Sequence, residues 1–246
     1  MRGRILYLFL SVLLLASCSK HYLNQKEDFS HFSLKQEPES QIAKVTIAEY
    51  KVKVDAQTEK IIAASIDVLT KDGDESTLGN FVCDALKFSG EKEFKNLPID
   101  VVLINRGGLR ANLPKGDIKV VNVFELMPFE NDLILVKIKG EKLLEGVQTV
   151  LEKKHSFLGL KINAKPSEVL ETTINGSSID KEKIYTIVTS DYLANGGDNF
   201  IFLKDPLTTE KSNLKIREAI INYCIFLTEN KKQIVPYTDG RLQISK

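Results

Sequence analysis

Asp100-Val101-Val102-Leu103-Ile104-Asn105-Arg106-Gly107-Gly108-Leu109-Arg110 is the stretch on which the reading turns. Four consecutive apolar residues enclosed by Asp100 and Asn105 form a run of buried-strand type. The glycines that follow let a backbone approach a ligand closely. Arg110 adds a planar fork suited to anionic or polar groups. Taken alone, the segment reads equally well as a Gly-containing turn with exposed arginines.

Further strands and helices alternate around this run. Leu133 to Lys139 and Tyr185 to Ser190 are rich in β-formers, and Asn175-Gly176 carries the signal of a tight hairpin. Asn175-Gly176-Ser177 also matches a glycosylation acceptor, but the hairpin is the better account of it. Val45, Ile47, Tyr50, Val52 and Val54 alternate loosely within Ala43 to Val54, which is strand-like. Helices are expected over Asn80 to Phe88, starting near Ser76 or Thr77, and over Glu141 to Lys153 and Asn213 to Lys231. With a hairpin present and no βαβ repeat visible, the pattern implies one mixed α+β domain from about 42 to 246.

The chain begins with an address. Arg2 and Arg4 precede the apolar run Ile5 to Leu15, too short to span a bilayer. Leu15-Ala16-Ser17-Cys18 resembles the bacterial lipobox, so residues 1–17 are expected to be a signal peptide and Cys18 the lipid-carrying N-terminus. That places the protein in the bacterial cell envelope, exported, and held at the membrane through the lipid alone. Residues 18–41 are polar and without period, a tether by composition. Its Tyr22, Phe29 and Phe32 leave docking onto the domain as the alternative.

Composition excludes several functions. The 246 residues carry 34 Lys+Arg against 33 Asp+Glu, a net charge of +1, which lacks the basic excess of a nucleic-acid binder. There is no Gly-x-Ser-x-Gly, no phosphate-binding Gly-x-x-x-x-Gly-Lys-Ser/Thr and no His-Glu-x-x-His. His21 and His31 fall in the tether, and His155 is expected as a solvated cap at a helix end. No His or Cys cluster suggests a metal, and no catalytic residue is assigned. Cys83 and Cys224 are left either as a disulfide or as two buried thiols.

Upstream of the Asp100 to Arg110 stretch lies Glu75-Ser76-Thr77-Leu78-Gly79-Asn80-Phe81-Val82-Cys83-Asp84-Ala85, and downstream Pro128-Phe129-Glu130-Asn131 and Tyr192-Leu193-Ala194-Asn195-Gly196-Gly197-Asp198-Asn199-Phe200 hold more Gly, Asn and aromatic residues than folding requires. Each is weak alone. In this order, with Asn105-Arg106-Gly107-Gly108-Leu109-Arg110 between the first two, they closely resemble the C-terminal domain of bacterial and animal 5′-nucleotidases. Gly140 at the end of a strand and the Asn-Gly hairpin also fit, and the likeness covers roughly residues 45 to 245.

The resemblance implies a mixed α/β domain of the 5′-nucleotidase C-terminal type that holds a nucleoside or nucleotide. By position, Phe129 and Tyr192 match the two faces of the family's base sandwich. Asp198 matches the acid that accepts from the ribose hydroxyls, Asn105 a residue near the base edge, and Arg110 an arginine on the sugar-phosphate side. Three departures stand out. Lys71-Asp72-Gly73 occupies the place of a further ligand-contacting arginine, Arg106 fills a usually small position, and Asn199 replaces a glycine.

In the family, a separate N-terminal domain holds two metals and cuts the phosphate ester. Only about 25 residues lie between Cys18 and the present domain, too few for such a domain. This chain alone is therefore not expected to hydrolyse nucleotides. It is expected to serve either as the substrate-gripping half of a split 5′-nucleotidase, completed by a separate metallophosphoesterase chain that carries the divalent metals, or as a non-catalytic lipid-anchored nucleotide-binding module. A scaffold whose pocket has lost its function is the third reading.

Overall fold

The protein is described from a computed structural model covering residues 40–95 and 97–245. The signal segment, Cys18 and the polar stretch with Tyr22, Phe29 and Phe32 lie outside the described residues. In chain order the first elements are α1 (Gln41–Thr58), β1 (Ile61–Ser65), α2 (Thr77–Glu93), β2 (Val101–Ile104), β3 (Gly116–Lys119) and α3 (Val120–Leu126). Then come β4 (Asp132–Lys139), α4 (Gly140–Glu152), β5 (Ser156–Leu158), β6 (Leu160–Lys165), β7 (Glu168–Ile174) and β8 (Ser177–Ser178). The last are β9 (Ile184–Ser190), α5 (Asp191–Ala194), β10 (Thr208–Lys215), α6 (Ile216–Glu229) and β11 (Leu242–Ile244). This is a mixed α/β architecture, as the sequence implies.

All four residues of β2 are buried, because the strand lies inside a five-stranded sheet of order β10-β4-β9-β2-β5. β2 and β9 run parallel, with Val101 opposite Ile187 and Val102 opposite Val188. β4 runs antiparallel to β9 from Leu133 opposite Ser190 to Lys139 opposite Ile184. A four-stranded sheet, β11-β6-β7-β8, and the pair β1-β3 complete the strands. β7 and β8 are joined through Asn175 (φ 52°) and Gly176 (φ 77°), the left-handed pair that a tight hairpin turn demands.

Ser76 caps α2, its hydroxyl accepting from Gly79 N at 2.9 Å. The helix buries Leu78, Phe81, Val82, Ala85 and Leu86 and packs against α6, where Phe88 and Phe226 sit 4.4 Å apart between ring centroids. Cys83 and Cys224 are both free and buried, which settles the alternative left by the sequence. Burial pushes both thiols up, Cys224 to about 12, so neither ionises in the neutral range. Near the C-terminus the buried Arg241 donates to both carboxylate oxygens of Asp239 and to Phe157 O. Tyr237 in turn donates to Asp84 at 2.6 Å.

Two expectations need correction. Ala43 to Val54 is not a strand but part of α1, none of whose residues is buried. Period-2 alternation marks a strand only where a sheet face covers it, and Val45, Ile47, Tyr50, Val52 and Val54 are all exposed. The third long helix begins at Ile216 instead of Asn213, because Asn213 to Lys215 end the strand β10. Among the described residues no helix is long and apolar enough to cross a membrane.

Gly140 opens α4 against the backbone of the Asp180 turn. A Cβ there would lie 2.0 Å from Asp180 O and 2.9 Å from the Tyr185 ring. Neither neighbour is the free end of a flexible side chain, so Gly140→Ala is expected to destabilise the fold by about 1–3 kcal/mol through overpacking. Urea unfolding of the two forms measures this, and a loss below about 0.5 kcal/mol would contradict the packing described.

Candidate functional site

The register of the central sheet decides where three loops emerge. β2 and β9 are parallel, so the loops that leave their C-terminal ends share one edge of the sheet. β4 runs the other way beside β9, which brings the loop entering β4 to that same edge. These are the Asn105 to Arg110 loop, the Tyr192 to Phe200 loop and the Pro128 to Asn131 loop. Open α/β sheets commonly place ligands at such carboxyl ends.

Between these loops lies a cavity of about 420 Å³, within the usual range for small-molecule sites. Asn105, Arg110, Phe129, Tyr192 and Asp198 all line it, together with Ile104, Met127, Asn131, Ser190 and Ile216. The five residues singled out in the sequence are therefore brought together in one place. Phe129 and Tyr192 remain 41% and 45% exposed. Large aromatic rings left this open at a cavity rim are available for stacking.

Asp198 organises the polar side. Asn105 Nδ2 donates to Asp198 Oδ2, and the Tyr192 hydroxyl donates to Asp198 Oδ1 at 3.0 Å. An ionised carboxylate has about four acceptor positions, so two are left for hydroxyl donors of a ligand. The bond to Asp198 raises the Tyr192 phenol above its ordinary value. Asp198 itself sits at φ 48° and Asn199 at φ 67°, a tight left-handed corner that aims the carboxylate back at Asn105. Gly197 leaves room for the Tyr192 ring, from which a Cβ there would lie only 2.4 Å.

The loops are tied to one another by residues that the sequence reading passed over. Asp191 Oδ1 accepts from Asn131 Nδ2 at 2.9 Å, from Asp132 N at 3.2 Å and from Tyr192 N at 2.8 Å. The buried Arg217 of α6 donates to Met127 O and Phe129 O and pairs with Glu130, which holds the Glu130 carboxyl below its usual range. Its guanidinium also lies 4.1 Å from the centroid of the Phe124 ring. Arg110 is exposed and bonds Gly107 O at 3.3 Å, leaving most of its donors free for a ligand.

His155 is not the solvated cap that its neighbours suggest. It is buried at 5% exposure, with its ring tilted 40° against that of Phe200 at 4.8 Å between centroids. Its Nδ1 accepts from Arg106 N at 3.2 Å, which leaves the proton of the neutral ring on Nε2. Nε2 is buried without a protein partner. His155 thus supports the Arg106 to Gly108 turn from beneath.

Sequence and structure comparisons identify the family to which this fold belongs. A family model described as "5'-nucleotidase, C-terminal domain" matches residues 46–205. The chain belongs to this family. It is 25% identical to mouse 5′-nucleotidase over 242 residues, covering 85% of this chain and 41% of the relative. An apyrase of Tabanus yao is 27% identical over 214 residues, covering 75% of this chain and 38% of the relative. The crystal structure of a 5′-nucleotidase precursor from Thermus thermophilus superimposes with a TM-score of 0.70 at 25% identity, covering 84% of this chain and 44% of that one. The chain thus spans about two fifths of the length of these relatives, the C-terminal part. Among the described residues, no three His, Cys, Asp or Glu side chains gather as a metal site.

Burial lowers the pKa of His155 from 6.5 to about 4, with Asp198 opposing the shift. The folded state therefore binds fewer protons than the unfolded chain between about pH 4 and 6.5. Stability from this group is full above pH 6.5 and is lost as the pH falls through about 4. The His155 ring, assigned by comparison with His155→Gln, is expected to stay neutral by NMR down to about pH 5. A midpoint near 6.5 would contradict its burial.

Proposed function

We propose that this domain grips the base and ribose of a nucleoside or nucleotide, as the substrate-binding half of a 5′-nucleotidase whose phosphate chemistry is performed by a separate metallophosphoesterase chain. The observation that carries the reading is the meeting of two exposed aromatic rings, Phe129 and Tyr192, with the Asn105-Asp198 pair around one cavity. The base would lie between the rings, where stacking is worth about 1–3 kcal/mol and tolerates every base. Asp198 would accept from the ribose hydroxyls through the acceptor positions that Asn105 and Tyr192 leave open. Asn105 would stand near the base edge. Arg110, exposed at the rim, would face the sugar-phosphate side and present the 5′-phosphate outward.

In this proposal the chain is exported, lipid-anchored through Cys18 in the bacterial envelope, and meets its catalytic partner there. The family's placement in nucleotide metabolism and its two-domain relatives support the assignment of gripping and cutting to different parts. The alternative is a lipid-anchored nucleotide-binding module that acts without a catalytic partner. Hydrolysis by exported phosphoesterases, assayed with and without this protein, separates the two.

Calorimetric titration of the protein with adenosine and AMP, with phosphate release followed in parallel with and without divalent metals, tests the reading. Binding without turnover is expected. Phe129→Ala and Tyr192→Ala are each expected to weaken adenosine about tenfold or more. Because neither ring belongs to the buried core, the unfolding midpoint should barely move. Unchanged affinity in both variants would remove the pocket assignment, and turnover by the purified chain would remove the division of labour.

A further inference from the structure

A second cavity, of about 730 Å³, lies against the first and shares Gly107 and Asp198 with it. Its remaining walls are Lys71, Arg106, Lys153, His155, Gly196 and Asn199. Two of the sequence's departures from the family pattern, Lys71 and Arg106, thus meet at one place, with Lys153 added from the end of α4. No salt bridge joins any of these three cations to a carboxylate among the described residues. Lys71 Nζ donates to Leu109 O at 3.3 Å and an Arg106 Nη to Gly73 O at 3.0 Å. These are backbone carbonyls, which orient the two side chains but leave their charge uncompensated.

The negative charge nearby is limited. Asp198 stands on the wall between the two cavities, with one oxygen engaged by Asn105 and the other by Tyr192. Asp74 is paired with Lys154 at 2.7 Å. His155 contributes no positive charge near neutral pH, since burial holds it down to about 4. The cavity is therefore net cationic, and neither Phe129 nor Tyr192 lines it.

We propose that this cavity is a subsite for a second phosphate, borne on the ribose 2′- or 3′-oxygen of a nucleotide whose base and sugar occupy the first cavity. The inference rests on the nucleoside reading above. With the base against Phe129 and Tyr192 and the ribose at Asp198, a substituent on a ribose hydroxyl oxygen passes Asp198 into the second cavity. The other hydroxyl still donates to Asp198. Arg106 supplies a planar fork for the phosphate oxygens, and Lys71 and Lys153 supply point charges. The 5′-phosphate remains at the Arg110 side, so the favoured ligand class is a nucleoside 2′,5′- or 3′,5′-bisphosphate.

Calorimetry with adenosine, AMP, adenosine 2′,5′-bisphosphate and adenosine 3′,5′-bisphosphate tests this. One of the bisphosphates is expected to bind about tenfold tighter than AMP at low salt, and the gain should shrink as salt screens an open, solvated subsite. In Arg106→Ala/Lys153→Ala the gain should vanish while the affinity for AMP is kept. Bisphosphates that bind no tighter than AMP, or a gain that survives the double substitution, would overturn the subsite. Failure of adenosine and AMP to bind at all would instead overturn the nucleoside reading and the subsite with it.

Discussion

The parallel pairing of β2 with β9, and the antiparallel β4 on the other side of β9, is the constraint on which the rest depends. Val101 opposite Ile187 and Leu133 opposite Ser190 fix the register of three strands at once. Since β2 and β9 are almost wholly buried, a slip by one residue would swap the side chains packed on the two faces of the sheet and break the fit on both. The register is thus held by the core, and the core in turn delivers three loops from distant parts of the chain to one edge. Short loops on a rigid sheet can carry a binding surface without paying for its order at the moment of binding.

The polar contacts then convert proximity into shape. Asp191 holds the start of β4 and the start of α5 through a single carboxylate oxygen, and Arg217 fixes the carbonyls around Phe129 from below. Asp198 links the glycine-rich turn after β2 to the Tyr192 loop. Each aromatic ring is left open to solvent while its backbone is anchored. A side chain that is free above a fixed backbone suits stacking, which needs a flat surface at a set place more than an enclosing wall.

The parts legible in the sequence were those written in contiguous residues. The apolar run of β2, the cap and helix after Ser76 and the Asn175-Gly176 turn could each be read locally, whereas the Phe129, Tyr192 and Asp198 segments, weak alone, became legible only together through the family resemblance. What could not be read depended on partners far along the chain. His155 looked like a surface cap beside Lys153 and Lys154 because nothing nearby announces Phe200 above it. Arg217 was passed over, because nothing near it in the chain announces the Met127 and Phe129 carbonyls and the Glu130 carboxylate that it meets. The alternation in α1 misled for the opposite reason, since a period of two carries information only when one face is covered, and none of α1 is.

The Asp191 carboxylate has a consequence for how the binding surface moves. Through Asn131 and Asp132 it grips the loop that bears Phe129, and through Tyr192 N it grips the neighbouring ring's own backbone. The two aromatic walls are therefore mounted on one hub and belong to a single rigid jaw. A ligand that spreads the rings must do so by rotating side chains, because their supports cannot separate without breaking several bonds together.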